Sequence, residues 1–255
     1  MRAFIAIYQR EIRAYFHSPI AYVLMVGFLV ITGYFFYNGV AFYSLASMQA
    51  MQNPMFMKLN LQDMLMSPLM SNMSVILMLI TPLLTMRLLS EEKRSGTIEL
   101  LFSYPLTDAC VVLAKFLAAW SVLALMLALT WIQVAILAWL GPIHLPATLT
   151  GYLGLLLMCG CFVALGLLAS AATENQIVAA VAAFAGLLFL WVIGFSAQVV
   201  GPELGQVLKR LSLGNHFDNF PKGLLDTADV AYFILFMALF LFLTIRTLEA
   251  KRWKA

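Results

Sequence analysis

Six apolar runs separated by short polar stretches organise this chain: Ile20 to Tyr43, Leu69 to Leu89, Val111 to Leu140, Leu149 to Ala171, Ile177 to Val200 and Val230 to Thr247. Runs of about 20 apolar residues cross the roughly 30 Å hydrocarbon core of a bilayer as helix, and the alternating ten-residue pattern of a transmembrane barrel does not occur. The pattern predicts an all-α integral membrane protein with six transmembrane helices in a single domain over residues 1–255. The third run is long enough to include a tilted or solvated end. The first is too long for a signal-peptide core and has no small-residue cleavage pattern behind it, so it reads as an uncleaved span.

Between and before these runs the pattern becomes amphipathic. Phe4, Ile5, Tyr8, Ile12, Tyr15 and Phe16 share one arc of a helical wheel, opposite Arg2, Gln9, Arg10 and Arg13. Residues 1–18 therefore read as an interfacial helix with its arginines toward headgroups or a partner, ended by Ser18 and Pro19. From Gly201 to Asp229 the chain is too polar to span and too apolar to be a free loop. It reads as two short amphipathic pieces broken at Gly214 and Pro221, dipping into the outer leaflet as broken helices between spans five and six. Spans four and five carry small residues four apart, such as Gly160 with Ala164 and Ala179 with Ala183, and the turn from Thr173 to Gln176 makes them an antiparallel hairpin.

The composition, 63% hydrophobic and 11% charged with a mean hydropathy of +0.94, lies far outside the soluble range. With a cytoplasmic N-terminus, eleven of the fifteen Lys and Arg residues fall on the cytoplasmic side, against Lys58, Lys209, Arg210 and Lys222 outside. The positive-inside rule thus places both termini in the cytoplasm, and a bacterial inner (plasma) membrane is the expected location. The net charge of +3 follows from this asymmetry and implies no nucleic-acid partner. Met48, Met51, Met55, Met57, Met64 and Met66 crowd the outer loop from Ser44 to Pro68. Thioethers can hold Cu(I), but without accompanying His or Cys they equally suit an adaptable apolar surface, and no metal site is expected. Cys110, Cys159 and Cys161 read as small apolar filler.

Catalytic chemistry is missing from the pattern. No G-x-x-x-x-G-K-[ST] phosphate loop occurs, and His17, His144 and His216 all fall outside the spans. No Asp, Glu, Lys or Arg lies within a span away from its ends, so a proton- or ion-coupled transport cycle has no group to work with. No catalytic residue and no bound cofactor are expected. Energy for any transport has to enter from outside the bilayer.

The longest cytoplasmic loop, Glu91 to Asp108, has helix grammar. Gly96 is a candidate N-cap with Glu99 at the third helical position, and Pro105 ends a helix of roughly 10 Å over Thr97 to about Ser103. Ile98, Leu101 and Phe102 share a face suited to a groove on a soluble partner, with Glu91, Glu92, Lys93 and Arg94 as its charged rim.

The run Glu91, Glu92, Gly96, Thr97, Glu99, Leu100, Leu101 and Pro105, followed by Lys115, resembles the loop between the second and third spans of ABC-2 type transporter permeases. Ser18-Pro19-Ile20-Ala21-Tyr22, Asn215-His216-Phe217 with Lys222-Gly223 and Asp226, and the ending Leu248-Glu249 with Arg252-Trp253 look like the gliding-motility-type subgroup of that family. The resemblance implies the permease subunit of an ATP-binding-cassette transporter, an exporter, with no catalytic site of its own. ATP and Mg would bind separate ABC ATPase subunits, and a second permease subunit, identical or related, would complete the pathway, together with accessory membrane or periplasmic proteins. It also implies that Glu91 to Pro105 is a coupling helix to the ATPase, that Arg2, Arg10 and Arg13 lie on an elbow helix, and that Asn215, His216, Phe217 and Pro221 belong to an outer gate. A non-transporting membrane scaffold driven by the same kind of ATPase is the alternative.

Overall fold

In lipid every backbone polar group must be paired within the protein, and an uninterrupted apolar run meets that demand as helix. The computed structural model describes residues 2–50, 60–96, 107–141, 143–196 and 201–252. Among them there is helix and connecting turn but no strand. The first helix, α1 (Arg2–His17), is separated from α2 (Pro19–Ala50) by Ser18 alone. A π-helical turn at Gln62–Met66 leads into α3 (Ser67–Thr85) and α4 (Arg87–Arg94). The third span is divided into α5 (Asp108–Leu129) and α6 (Trp131–Leu140), and α7 (Leu145–Ala172) and α8 (Gln176–Ser196) form the predicted hairpin. Then come α9 (Pro202–Leu211), α10 (Leu213–Phe217), a 3-10 turn at Phe220–Lys222 and α11 (Thr227–Arg252). Six helical stretches are long and apolar enough to cross a membrane.

The middle spans form the core. In the most apolar stretch of the second and fourth spans 72% of residues are buried, against 22% in the first and fifth and 17% in the sixth, so α2, α8 and α11 flank a centre built on α3, α5 and α7. Helix α7 packs against α3, α5, α8 and α11, and its glycines permit the approach. The Phe220 ring occupies the space that a Cβ on Gly154 would need, and Thr85 does the same at Gly166.

Several boundaries differ from the pattern. Helix α2 continues through Ser44 to Ala50, so the outer loop is shorter than Ser44 to Pro68; Met51, Met55 and Met57 lie outside the described residues. Met66, Met70 and Met73 are buried core residues and do not line an outward surface. The second span breaks at Met86, one turn beyond Pro82, which has no N–H to give to the ladder. The third bends at Thr130, whose hydroxyl bonds the Leu127 carbonyl at 2.7 Å and meets the Tyr152 hydroxyl at 2.8 Å. Between α9 and α10 the break falls at Ser212, which accepts the Asn215 N–H, while Gly214 sits inside α10. Pro221 is buried in the 3-10 turn, and the left-handed Gly223 (φ +83°) ends it against Ala147.

Candidate functional site

At the end of the bundle that carries α1 and α4, four charged side chains from three elements meet. Lys115 of α5 is 1% exposed and places its Nζ 3.0 Å from Glu11 Oε1 and 2.9 Å from Glu92 Oε1. Arg10 reaches the same two oxygens, at 2.7 Å from Glu11 and 2.6 Å from Glu92. Two cations thus bridge two carboxylates, and the charges cancel. That cancellation is what permits Lys115 to remain buried, because an unpaired ammonium there would lose its hydration with nothing in return. Burial acts to lower the Arg10 pKa, but hydrogen bonds and charge from Glu11 and Glu92 outweigh it and raise the value above the ordinary guanidinium range.

The local sequence explains how each group arrives. Glu11 lies on the inward stripe of α1, one turn from Ile7, which packs with Val111 and Ala114 of α5. Tyr8, one turn back, bonds Ser121 of α5 at 2.9 Å, so α1 is fixed along the third span. Glu92 sits on α4, the continuation of the second span. Residues Glu92 and Lys115 therefore join the end of α4 to the start of α5.

The break at Met86 is stapled from both sides. Ser170 of α7 accepts the N–H groups of Leu89 and Ser90, each at 3.0 Å, and donates to the Met86 carbonyl at 3.0 Å. Tyr15 of α1 donates to the Leu84 carbonyl at 3.0 Å. Burial, with the Glu11 charge, pushes the Tyr15 phenol well up, so it remains a donor. Lys93 donates to the Ala171 carbonyl at the C-terminus of α7, where the helix dipole favours a cation. Backbone groups freed by the break are thus satisfied by side chains from other helices, and α4 is held at a set angle to α3.

The predicted coupling residues divide into two groups. Glu91, Glu92, Lys93 and Arg94, read as a charged rim, are the last residues of a helix: Glu91 and Arg94 are exposed, whereas Glu92 and Lys93 are half-buried and bonded to α1, α5 and α7. Gly96 has φ +70° and donates its N–H to the Lys93 carbonyl, so it closes α4 in the left-handed position that favours glycine. Thr97, Ile98, Glu99, Leu101, Phe102 and Pro105 lie outside the described residues. On α1, Arg10 joins the charge cluster, Arg13 is exposed on the opposite side, and Arg2 lies in the first turn.

Glu11, Tyr15 and Ser170 were not singled out by the sequence as site residues. Glu11 had a local signal: a carboxylate between Ile7 and Tyr15 on the apolar arc of an amphipathic helix needs a buried cation. Ser170 had none, since its partners lie 81 and 80 residues away.

At the opposite end, the predicted gate residues pin one hairpin. His216 Nδ1 is 2.6 Å from Asp229 Oδ1, its Nε2 is 3.0 Å from the Arg210 carbonyl, and its ring stacks on Tyr232 at 3.9 Å between centroids. Asn219 donates to the other Asp229 oxygen at 3.0 Å, and Asn215 donates to the Lys209 carbonyl. Phe217 is buried, and the Pro221 carbonyl accepts from Gln62 at 2.8 Å and from Ser67. Asp229 and Asn219 complete a cluster of which the sequence had indicated only the histidine.

Residues 5–250 match the family model described as ABC-2 family transporter protein, which covers both clusters and all six spans. No curated protein matches the chain closely enough to add a more specific relative. On a match over nearly its whole length, the chain belongs to the ABC-2 family of transporter proteins, as the membrane-embedded permease subunit of an ABC transporter with an ABC ATPase partner.

Proposed function

We propose that this permease subunit forms the membrane pathway of an ATP-driven exporter in a bacterial inner membrane, with both termini cytoplasmic. In this reading ATP and Mg bind the separate ATPase, and a second permease subunit, identical or related, completes the pathway. Accessory membrane or periplasmic proteins would extend it, and the subunit would be of the gliding-motility type. The chain contributes no catalytic residue. One observation carries the proposal: the ion pair between Glu92 and Lys115, 2.9 Å long and bridged by Glu11 and Arg10, joins both stems of the loop around residues 97–106 to the interfacial helix.

A short helix in that loop, with Ile98, Leu101 and Phe102 as its anchor, would receive motion from the ATPase. The charged cluster would pass it to α1 and α5, and the stapled break at Met86 would turn it into rotation of α3. At the far end, the hairpin held by His216 and Asp229 would serve as the outer gate.

The test is reconstitution of the chain with its ATPase in sealed vesicles. ATP-dependent movement of cargo, lost in Glu92→Gln while membrane insertion is kept, supports the reading. ATP turnover without movement of any cargo would favour a scaffold, and unchanged transport by the variant would remove the cluster from the coupling path.

A further inference from the structure

Beside the charged cluster, a cavity of about 490 Å³ opens between α1, the start of α2 and the α3–α4 junction. That volume is in the range of small-ligand sites. Six charged side chains line it, and four of them, Arg10, Glu11, Glu92 and Lys115, neutralise one another in its back wall. The remaining two, Arg87 and Glu91, are exposed, and among the described residues neither has an ion-pair partner. They lie one turn apart on α4, with the arginine first, the less favourable order for an intrahelical pair.

The cavity also has a graded wall. Ser18, at the break between α1 and α2, lines it on one side. Leu83 lines the cavity yet is 43% exposed, and Leu79, one turn deeper, is 49% exposed, so the apolar wall runs out onto the lipid-facing side of the second span.

The geometry points to a binding site for a zwitterionic, primary-amine phospholipid of the adjoining leaflet, with its phosphate on Arg87, its ammonium on Glu91 and an acyl chain along Leu83 and Leu79. Side chains four apart on a helix stand about 5–6 Å apart at Cβ, a spacing that suits the phosphate and ammonium of an ethanolamine headgroup. A carboxylate can accept hydrogen bonds from a primary ammonium but none from choline, and it repels an anionic glycerol headgroup. The net neutrality of the cavity disfavours a ligand with net charge. The site does not depend on the transport reading, because lipid retention needs neither the ATPase nor cargo.

Full-length protein in mild detergent, offered equal amounts of phosphatidylethanolamine, phosphatidylcholine and phosphatidylglycerol, tests this by native mass spectrometry of the lipid retained per chain. One retained phosphatidylethanolamine, favoured about tenfold over phosphatidylcholine, is expected from a charge-assisted hydrogen bond. Arg87→Gln should lower retention of every phospholipid about tenfold, and Glu91→Gln should keep a lipid while losing the choice of ethanolamine over choline. Both positions are exposed, so thermal unfolding should match the wild type and separate lipid loss from misfolding. No retained lipid, equal retention of the three, or a preference that survives Glu91→Gln would overturn the assignment.

Discussion

The two ends of this permease each hold a cluster of charged and polar side chains, but the clusters are wired differently. At the α10 end, His216, Asn219 and Asp229 lie within 13 residues of sequence and pin one hairpin to itself. At the α4 end, Glu11 and Lys115 are 104 residues apart and Glu92 and Lys115 are 23 apart, so the cluster joins the interfacial helix, the second span and the third. A local cluster can form or break without moving the bundle, whereas a cluster that joins distant elements makes them move together. That difference supports the proposal of transmission at the α4 end and of gating at the other.

The comparison is broken most strongly at Lys115. Lys115→Met leaves Glu11 and Glu92 facing each other with only Arg10 to compensate, which should cost about 3–5 kcal/mol, read as thermal unfolding in mild detergent. Removing the carboxylate at the other end should cost less. Asp229→Asn removes the charge behind two bonds, from His216 and from Asn219, and turns one of the two accepting oxygens into a donor, and a loss of about 1–3 kcal/mol confined to hydrogen exchange in α9, α10 and the 3-10 turn is expected. Equal protection loss throughout the bundle would contradict its local character.

Ser170→Ala leaves two buried N–H groups at Leu89 and Ser90 without their acceptor, for a loss of about 1–3 kcal/mol, and should raise exchange in α4 without changing the hairpin. Tyr15→Phe deletes a single bond to the Leu84 carbonyl and should cost about 1 kcal/mol. If Tyr15→Phe were more damaging than Ser170→Ala, the break at Met86 would be held chiefly from α1 and not from α7.

Hydropathy placed all six spans because burial in lipid acts on every residue of a run. It missed the bends at Met86 and Thr130, whose partners, Ser170 and Tyr152, belong to another helix. The stems were only half legible for a related reason. Four consecutive charges, Glu91 to Arg94, read as the charged rim of a face for a soluble partner, and that Glu92 and Lys93 turn inward could be seen only once Lys115 and the end of α7 supplied complementary groups. Glu11 was legible in principle, as a carboxylate on an apolar arc, while its partners became visible only when α1 was laid along α5. Gly96 was read as the N-cap of a helix ahead of it, which lies outside the described residues; in the structure it closes the helix behind it.

The central claim is the proposal that the α4 cluster positions the segment between α4 and α5 for contact with the ATPase. The most direct measurement is the affinity of the purified chain for its ATPase subunit in Glu92→Gln and Asp229→Asn, two carboxylate-to-amide variants at opposite ends. Binding about tenfold weaker in Glu92→Gln and unchanged in Asp229→Asn is the predicted result. Equal weakening in both variants, or none in Glu92→Gln, would contradict it.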